Sequence, residues 1–553
     1  MASMADTSRT RGTLFVNGLI FQYTEGSLDG QATFADAMYI HDGKILDIGS
    51  KNDVLSRYLS YGSVAPEVRD LDGRTVLPGF VDGHMHLLTL GQSLQKLDLG
   101  HCKSLDDIQS SIKSYAAEKP EIKRILCQGW MHSMTSGKAL ASMLNELDPR
   151  PIFIDSKDLH STWCNDAALV ELGVADTPDP PGGKIHRDES GRPSGLLEEA
   201  AVLGIVWPHQ ANKATVEERI QSIRAAVAEY HAAGYTGIIE MAMDEAAWEA
   251  LRILYTQEPD FAMRIAAYWL IKPAKSQDEC FSQVDRAVEL RNKFNQESSP
   301  NLRIVGIKII CDGIIDACTA FMAEPYAGTT DSPTPVWTET QLAPVVAKAD
   351  GAELQIALHA IGDAAVKLAV DVLEKNCAPG RRHRIEHLEL ASAEDALRLG
   401  KLGITASIQP VHADPAILRA WPRLLGEHRC GRAFAYREFA DGGATLAIGS
   451  DSPSAPWNPL ANMYVACTRK SAREPSSGET VNEKFKLSLY EAVVAATSGA
   501  AESVFAEKCV GRLTPGLLAD FVVLDAEWDA NLLLRASVKE TWFEGKQIWS
   551  ARS

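Results

Sequence analysis

LPGFVDGHMHL, residues 77–87, is an apolar run that breaks on glycine and ends with two histidines one residue apart. Side chains at i and i+2 of a strand share a face, so His84 and His86 aim at one point. Two neutral imidazoles on one point form part of a cation site. A lone histidine at a strand end is more often a hydrogen-bonded core residue, so further donors must come from elsewhere in the chain.

Outward from this stretch the rhythm is strand, then helix. Buried parallel strands are expected at 75–81, 235–241, 264–271, 303–310, 354–360, 383–390, 404–410 and 444–451. Amphipathic helices lie between most of them, such as 215–234 and 364–374. Eight such units predict an α/β fold, a (β/α)8 TIM barrel, whose active site sits at the C-terminal strand ends. More than 150 residues separate the first two strands, too many for one βα unit. Residues ~95–215, with their own strands ILCQGW and PIFIDS, read as an insertion over the barrel mouth. Both termini carry short β segments with turn signals: Asn-Gly in TLFVNGLIF, Asp-Gly in AMYIHDGKILDIG, and a third in VRDLDGRTVLPGF. The expected organisation is a composite β-sandwich from 1–78 and 506–553, with a barrel domain over 79–505. The polar stretch 470–484 reads as a surface loop.

Bulk properties narrow the function. With 73 acidic against 55 basic residues the net charge is −18, which argues against a nucleic-acid or anionic-membrane surface. No apolar run approaches the ~18 residues of a bilayer span, and MASMADTSRTRG lacks the apolar core of a secretory signal. The ten cysteines include no CxxC pair and read as reduced thiols. A cytoplasmic protein acting on a small molecule is expected.

Read together, the strand ends form a constellation. His84 and His86 close strand one, Lys308 lies in strand four, His359 ends strand five, His387 lies in strand six, and Asp451 ends strand eight. Four of the 14 histidines thus meet one lysine and one aspartate. Imidazole and carboxylate suit zinc or another first-row divalent ion. Lys308 could also be a buried, salt-bridged lysine, and Cys311, three residues on, reads as a buried thiol.

The segments PGFVDGHMH (78–86), SGLLEEA (194–200), VGIKIICDG (305–313), HAIGDAA (359–365), HRIEHLEL (383–390), SIQPVH (407–412), IGSDSP (448–453) and GRLTPGLLADFVVLD (511–525) resemble the amidohydrolase superfamily. The resemblance is specifically to its N-substituted formamide deformylase-like, or YtcJ-like, branch, and spans residues ~12–525. The resemblance implies metal ligation by His84, His86, His359, His387 and Asp451. It implies that Lys308, once carboxylated, bridges two metals, and that Asp451 doubles as the catalytic acid/base. The activity implied is hydrolysis of an amide-type C–N bond by metal-activated hydroxide, and a homodimer is a common assembly among relatives. His160, Glu199, His412 and Trp457 are candidate substrate contacts, and Trp130 and Trp163 are candidate pocket walls or packing. Glu198, Glu386 and Glu389 read as supporting or surface carboxylates.

Three places depart from the branch: Ile239-Glu240 where relatives often place His-Asp, Asp158-Leu159-His160 where Asp-Gly-His is usual, and DGIIDACTA after strand four. These bear on the substrate more than on the chemistry. The same scaffold hosts deaminases, esterases and decarboxylases. A non-catalytic regulatory descendant would be expected to lose ligands, and here every metal position is occupied.

Overall fold

The computed structural model describes residues 11–24, 32–61, 65–157, 161–180, 183–199, 201–330 and 333–552. His160 and the first ten residues lie outside them. The chain forms two compact units, one of residues 1–87, 227–248 and 252–553, the other of residues 88–226 and 249–251.

In the first unit, eight parallel strands follow one another in sheet order: β1 (Phe80–Met85), β2 (Tyr235–Met243), β3 (Arg264–Ile271), β4 (Leu302–Ile310), β5 (Gln355–Ala360), β6 (Arg384–His387), β7 (Thr405–Ile408) and β8 (Leu446–Ile448). This is the expected barrel. Val81, Ile239, Met241, Ala266, Tyr268, Ala357 and Ala447 belong to one buried cluster. The helix Asp363–Asn376 shows why the intervening segments fold as they do. It buries Ala365, Val366, Ala369, Val370, Val372 and Leu373, the spacing of one helical face.

The barrel closes between β8 and β1 at the C-terminal end of β1 and just past that of β8. Asp451 N–H donates to the His84 carbonyl (2.7 Å) and His86 N–H to the Ser452 carbonyl (2.9 Å). The chains approach closely enough that a Cβ on Gly449 would lie 2.4 Å from His84 N. Beneath this seam the buried Asp82 accepts from Ser450 N–H (2.9 Å), His84 N–H (3.1 Å) and the Tyr230 hydroxyl (2.9 Å).

The run 75–81, expected as one barrel strand, is split. Thr75–Pro78 pairs antiparallel with Phe521–Asp525, and only Phe80 onward joins the barrel. Gly79 makes the break: its N–H goes to the Asp520 carbonyl (3.0 Å), and a Cβ there would sit 2.3 Å from Thr236 Oγ1. Strands of both termini join in one eight-stranded sheet, in the order 546–550, 537–543, 521–525, 75–78, 13–22, 33–41 and 44–49, with 67–70 paired to 13–22.

Of the three Asx-Gly signals, only Asp42-Gly43 makes a two-residue hairpin, between 33–41 and 44–49. Asn17-Gly18 does not turn the chain; 13–22 is one strand with an irregularity between Val16 and Ile20. The Asp72-Gly73 loop lies against that kink, Gly73 N–H donating to the Asn17 carbonyl (2.8 Å). Residues 67–70 and 75–76 then continue parallel to the same strand. Left-handed backbone at Asn17 and Asp72 serves a paired bulge here. Residues 473–480 are mostly exposed, as a surface loop would be.

The second unit holds a six-stranded sheet ordered 183–187, 193–199, 161–164, 152–156, 125–130 and 97–98. Trp130 and Trp163 are fully buried in its core, ring centroids 5.4 Å apart. They pack this unit. Among the described residues no helix is long and apolar enough to cross a membrane.

The seam yields a graded test. Asp82→Ala strands three buried donors and should cost about 3 kcal/mol, while Tyr230→Phe removes one hydroxyl and should cost about 1 kcal/mol. Denaturant unfolding of both variants measures the difference. Equal midpoints for wild type and Asp82→Ala would show that the barrel closes without this carboxylate.

Candidate metal centre

β1 delivers His84 and His86 to the same side, and both rings face Asp451. His86 Nε2 lies 3.1 Å and His84 Nε2 3.3 Å from Asp451 Oδ1. His84 Nδ1 lies 2.8 Å from Glu386 Oε2. With Glu386 ionised, Nδ1–H donates to it and the Nε2 lone pair is left facing the cluster.

His387 ends β6 with a positive φ of 77°, and Asp451 follows β8 with φ 56°. Non-glycine residues rarely hold such backbone, and it gathers at functional sites. The His387 ring centroid is 4.9 Å from that of His84 and 4.3 Å from that of His359. Suitable donor atoms of His84, His387 and Asp451 lie within 4.8 Å of one another. His359 Nε2 lies 3.4 Å from the Gly313 carbonyl and 3.6 Å from Asp312 Oδ1. Lys308, 2% exposed, has no hydrogen-bond partner for its amine among the described residues, and neither has His387 Nδ1.

His412 belongs to the same group. Its ring stacks parallel to His387 at 5.9 Å, its Nδ1 lies 3.3 Å from Glu389 Oε1, and its Nε2 lies 3.7 Å from Asp451 Oδ2. Glu199 lies in the second unit, exposed, at the end of the strand 193–199. Trp457 is half-buried, and its carbonyl accepts from the Tyr235 hydroxyl (2.9 Å); none of these contacts joins its ring to the histidines.

Electrostatics divide the buried groups. Burial alone would raise the Asp451 carboxyl, but the imidazoles set against it, His84 first and then His86 and His387, outweigh it and hold Asp451 well below the usual carboxylate range. Burial pushes His387 down, and pushes His359 down to about 3, with Lys308 adding to the effect, so both are neutral near pH 7. Burial also lowers the Lys308 amine. His86 goes the other way: desolvation lowers it most, but the bond and charge of Asp451 and the charge of Glu240 together outweigh that and raise it.

Glu386 is the group that sequence reasoning undervalued. Burial would raise its carboxyl, yet Arg384 and His84 bring it far below the ordinary range. Arg384, equally buried, donates through Nε to Glu386 Oε1 (2.9 Å) and through Nη2 to the Gly83 carbonyl (2.6 Å). The readable signal is in RIEH: Arg384 and Glu386 at alternate positions of a fully buried strand share one face and must be paired there. Glu240, at the departure in strand two, accepts from Leu87 N–H (2.6 Å) beside His86, and burial raises it to about 7.

A second cluster, Asp350, Cys377 and His383, also has metal-like spacing. It does not suit a cation. His383 Nδ1 accepts from Ile356 N–H (3.1 Å), so the ring proton sits on Nε2 and points at Asp350 Oδ1 (3.1 Å), while Arg381 lies 3.5 Å from the same oxygen.

Residues 67–549 match the amidohydrolase family. The chain is 30% identical to Protein LONG AFTER FAR-RED 3 of Arabidopsis thaliana, the match covering 99% of this chain and 92% of that one. It is 24% identical to the N-substituted formamide deformylase of Arthrobacter pascens, over 91% and 92% of the two chains. An uncharacterized metal-dependent hydrolase from Pyrococcus horikoshii OT3 superposes with a TM-score of 0.77 at 25% identity, over 94% of this chain and 98% of its own. With the family matched over most of its length, the chain belongs to the amidohydrolase family.

Proposed function

We propose that the chain is a metal-dependent hydrolase that cleaves an amide-type C–N bond of a small organic substrate. The convergence of four histidines, Asp451 and an unpartnered buried lysine at one end of a barrel carries this reading. The donor set fits a divalent ion, zinc first among them. Two orphaned buried atoms, Lys308 Nζ and His387 Nδ1, support the fit.

His84, His86, His359, His387 and Asp451, together with a carboxylated Lys308, would hold two ions. Burial favours the neutral Lys308 amine, the form whose nitrogen adds to carbon dioxide. The N–C bond forms as the amine proton leaves, and the carbamate carries the negative charge that two cations need. A bound divalent ion supplies a Lewis acid and lowers the pKa of water from 15.7 to about 7.

The remaining work falls to side chains. Glu386, held by Arg384, fixes the His84 ring. Ser454 donates its hydroxyl to Asp451 Oδ2 (2.8 Å), which leaves Oδ1 toward His84 and His86. Asp451 takes the proton of the attacking water and returns it to the departing nitrogen, a role typically worth 10²–10⁴-fold. His412, steadied by Glu389, contacts the substrate beside it.

Elemental analysis should find close to two divalent ions per chain, and a 13C signal from a carbamate on Lys308. Lys308→Ala should lose at least one ion and most activity. One ion and an unmodified lysine in the wild type would leave a mononuclear hydrolase.

Asp451→Asn keeps the shape and the tolerance of left-handed backbone that position 451 needs, but it cannot take a proton. On an amide that the wild type hydrolyses, kcat should fall at least 10²-fold with little change in circular dichroism. A loss of only a few-fold would move the acid/base role to another group, with His412 first to test.

A further inference from the structure

Arg469 closes the helix Pro459–Thr468 in left-handed backbone, φ 59°, and sends its side chain inward, where it is fully buried. Its Nε donates to the Val481 carbonyl (2.8 Å). Its two terminal nitrogens have no hydrogen bond of proper geometry, and no carboxylate forms an ion pair with it among the described residues. The guanidinium carbon lies 5.0 Å from the centre of the Tyr436 ring, and Arg469 and the buried Tyr436 hydroxyl interact with one another, although the hydroxyl too has no hydrogen bond of proper geometry among the described residues.

Burying an unpaired guanidinium costs more than an aromatic face or the negative end of one helix returns. Burial accordingly holds Arg469 below its ordinary pKa. Water would fill hydrogen bonds but leave the charge unmet. We propose that Arg469 and Tyr436 form an internal site for one small monovalent anion of the chloride or bicarbonate kind, separate from the metal centre. The anion accepts from both terminal nitrogens of Arg469 and from the Tyr436 hydroxyl. Tyr436 follows Phe434, whose N–H donates to the Glu389 carbonyl (2.8 Å), so the anion anchors the segment behind the carboxylate that steadies His412.

Crystals of the metal-loaded full chain soaked in sodium bromide, with data collected at the bromine edge, should show an anomalous peak within hydrogen-bond reach of the Arg469 terminal nitrogens and Tyr436 Oη. In parallel, the thermal midpoint is compared in chloride, in bicarbonate and in gluconate at equal ionic strength, for wild type and Arg469→Met. The wild type should gain about 2 °C or more in the salt whose anion binds, which separates chloride from bicarbonate, and Arg469→Met should gain nothing. An ordered water at Arg469 with neither bromide peak nor bicarbonate density would overturn the proposal, as would an equal salt response in both proteins. If Arg469→Met fails to fold, the wild-type maps decide.

Discussion

The carboxylate of Glu386 is shut away from water between a cation and a histidine, and the metal centre is built on how its charge is met. Arg384 grips both of its oxygens (2.9 and 3.1 Å) while His84 Nδ1 approaches Oε2 at 2.8 Å. All three groups are essentially unexposed. Removing one partner of such a set leaves a buried charge uncompensated and costs about 3–5 kcal/mol. The trio therefore behaves as one rigid piece, and the orientation of His84 is inherited from the barrel interior. Arg384 spreads that rigidity by reaching Gly83 on β1, Ser407 on β7 and Ser503 on the helix behind. A ligand whose direction is set this way stays aimed when nothing is bound to it.

The same residues also close the barrel. β8 and β1 are joined by the backbone of His84, His86, Asp451 and Ser452, and the small Gly83 and Gly449 let them approach. A cation site at a seam couples two stabilities, because whatever binds His84 and Asp451 also ties β1 to β8. The left-handed backbone at His387 and Asp451 is the cost of that arrangement, of order 1–3 kcal/mol for each such residue. The buried network beneath offsets it.

Much of this was legible in the sequence. The barrel was readable because buried parallel strands write themselves as continuous apolar runs, and the donors were readable because they fall where those runs stop. What stayed hidden depended on contacts far apart in the chain. Nothing local says that Gly79 ends a strand of one sheet and starts the next, since its crowding comes from Thr236 and its hydrogen bond from Asp520. Asn17-Gly18 carries a correct signal for left-handed backbone, yet whether that backbone turns a hairpin or makes a bulge is settled by the loop of residues 71–74 lying beside it. His412 was found by resemblance, but its grip on Glu389 needed coordinates. Glu199 and Trp457 were chosen from the resemblance and from residue type; Glu199 ends a strand of the second unit, and Trp457 follows β8 with its carbonyl taken by Tyr235.

The buried carboxylates of the barrel sort by how strongly positive partners press against them. Asp82 meets only N–H and hydroxyl donors, and Asp312 three backbone N–H groups with His359 no nearer than 3.6 Å; burial wins at both, Asp82 being raised and Asp312 standing at about 7. Glu389 is raised as well, its one contact with His412 not repaying its desolvation. Glu386 and Asp451 are as deeply placed, but each faces two partners able to carry positive charge, and both stay ionised. Beside them His359 and His387 are kept neutral. Anionic carboxylate next to neutral imidazole is the protonation pattern that a divalent ion requires, since each proton on a ligand must otherwise leave when the ion binds. His86 departs from it, because in the absence of a cation Asp451 and Glu240 together stabilise its protonated form. A divalent ion competing for the same Asp451 oxygen would favour loss of that proton.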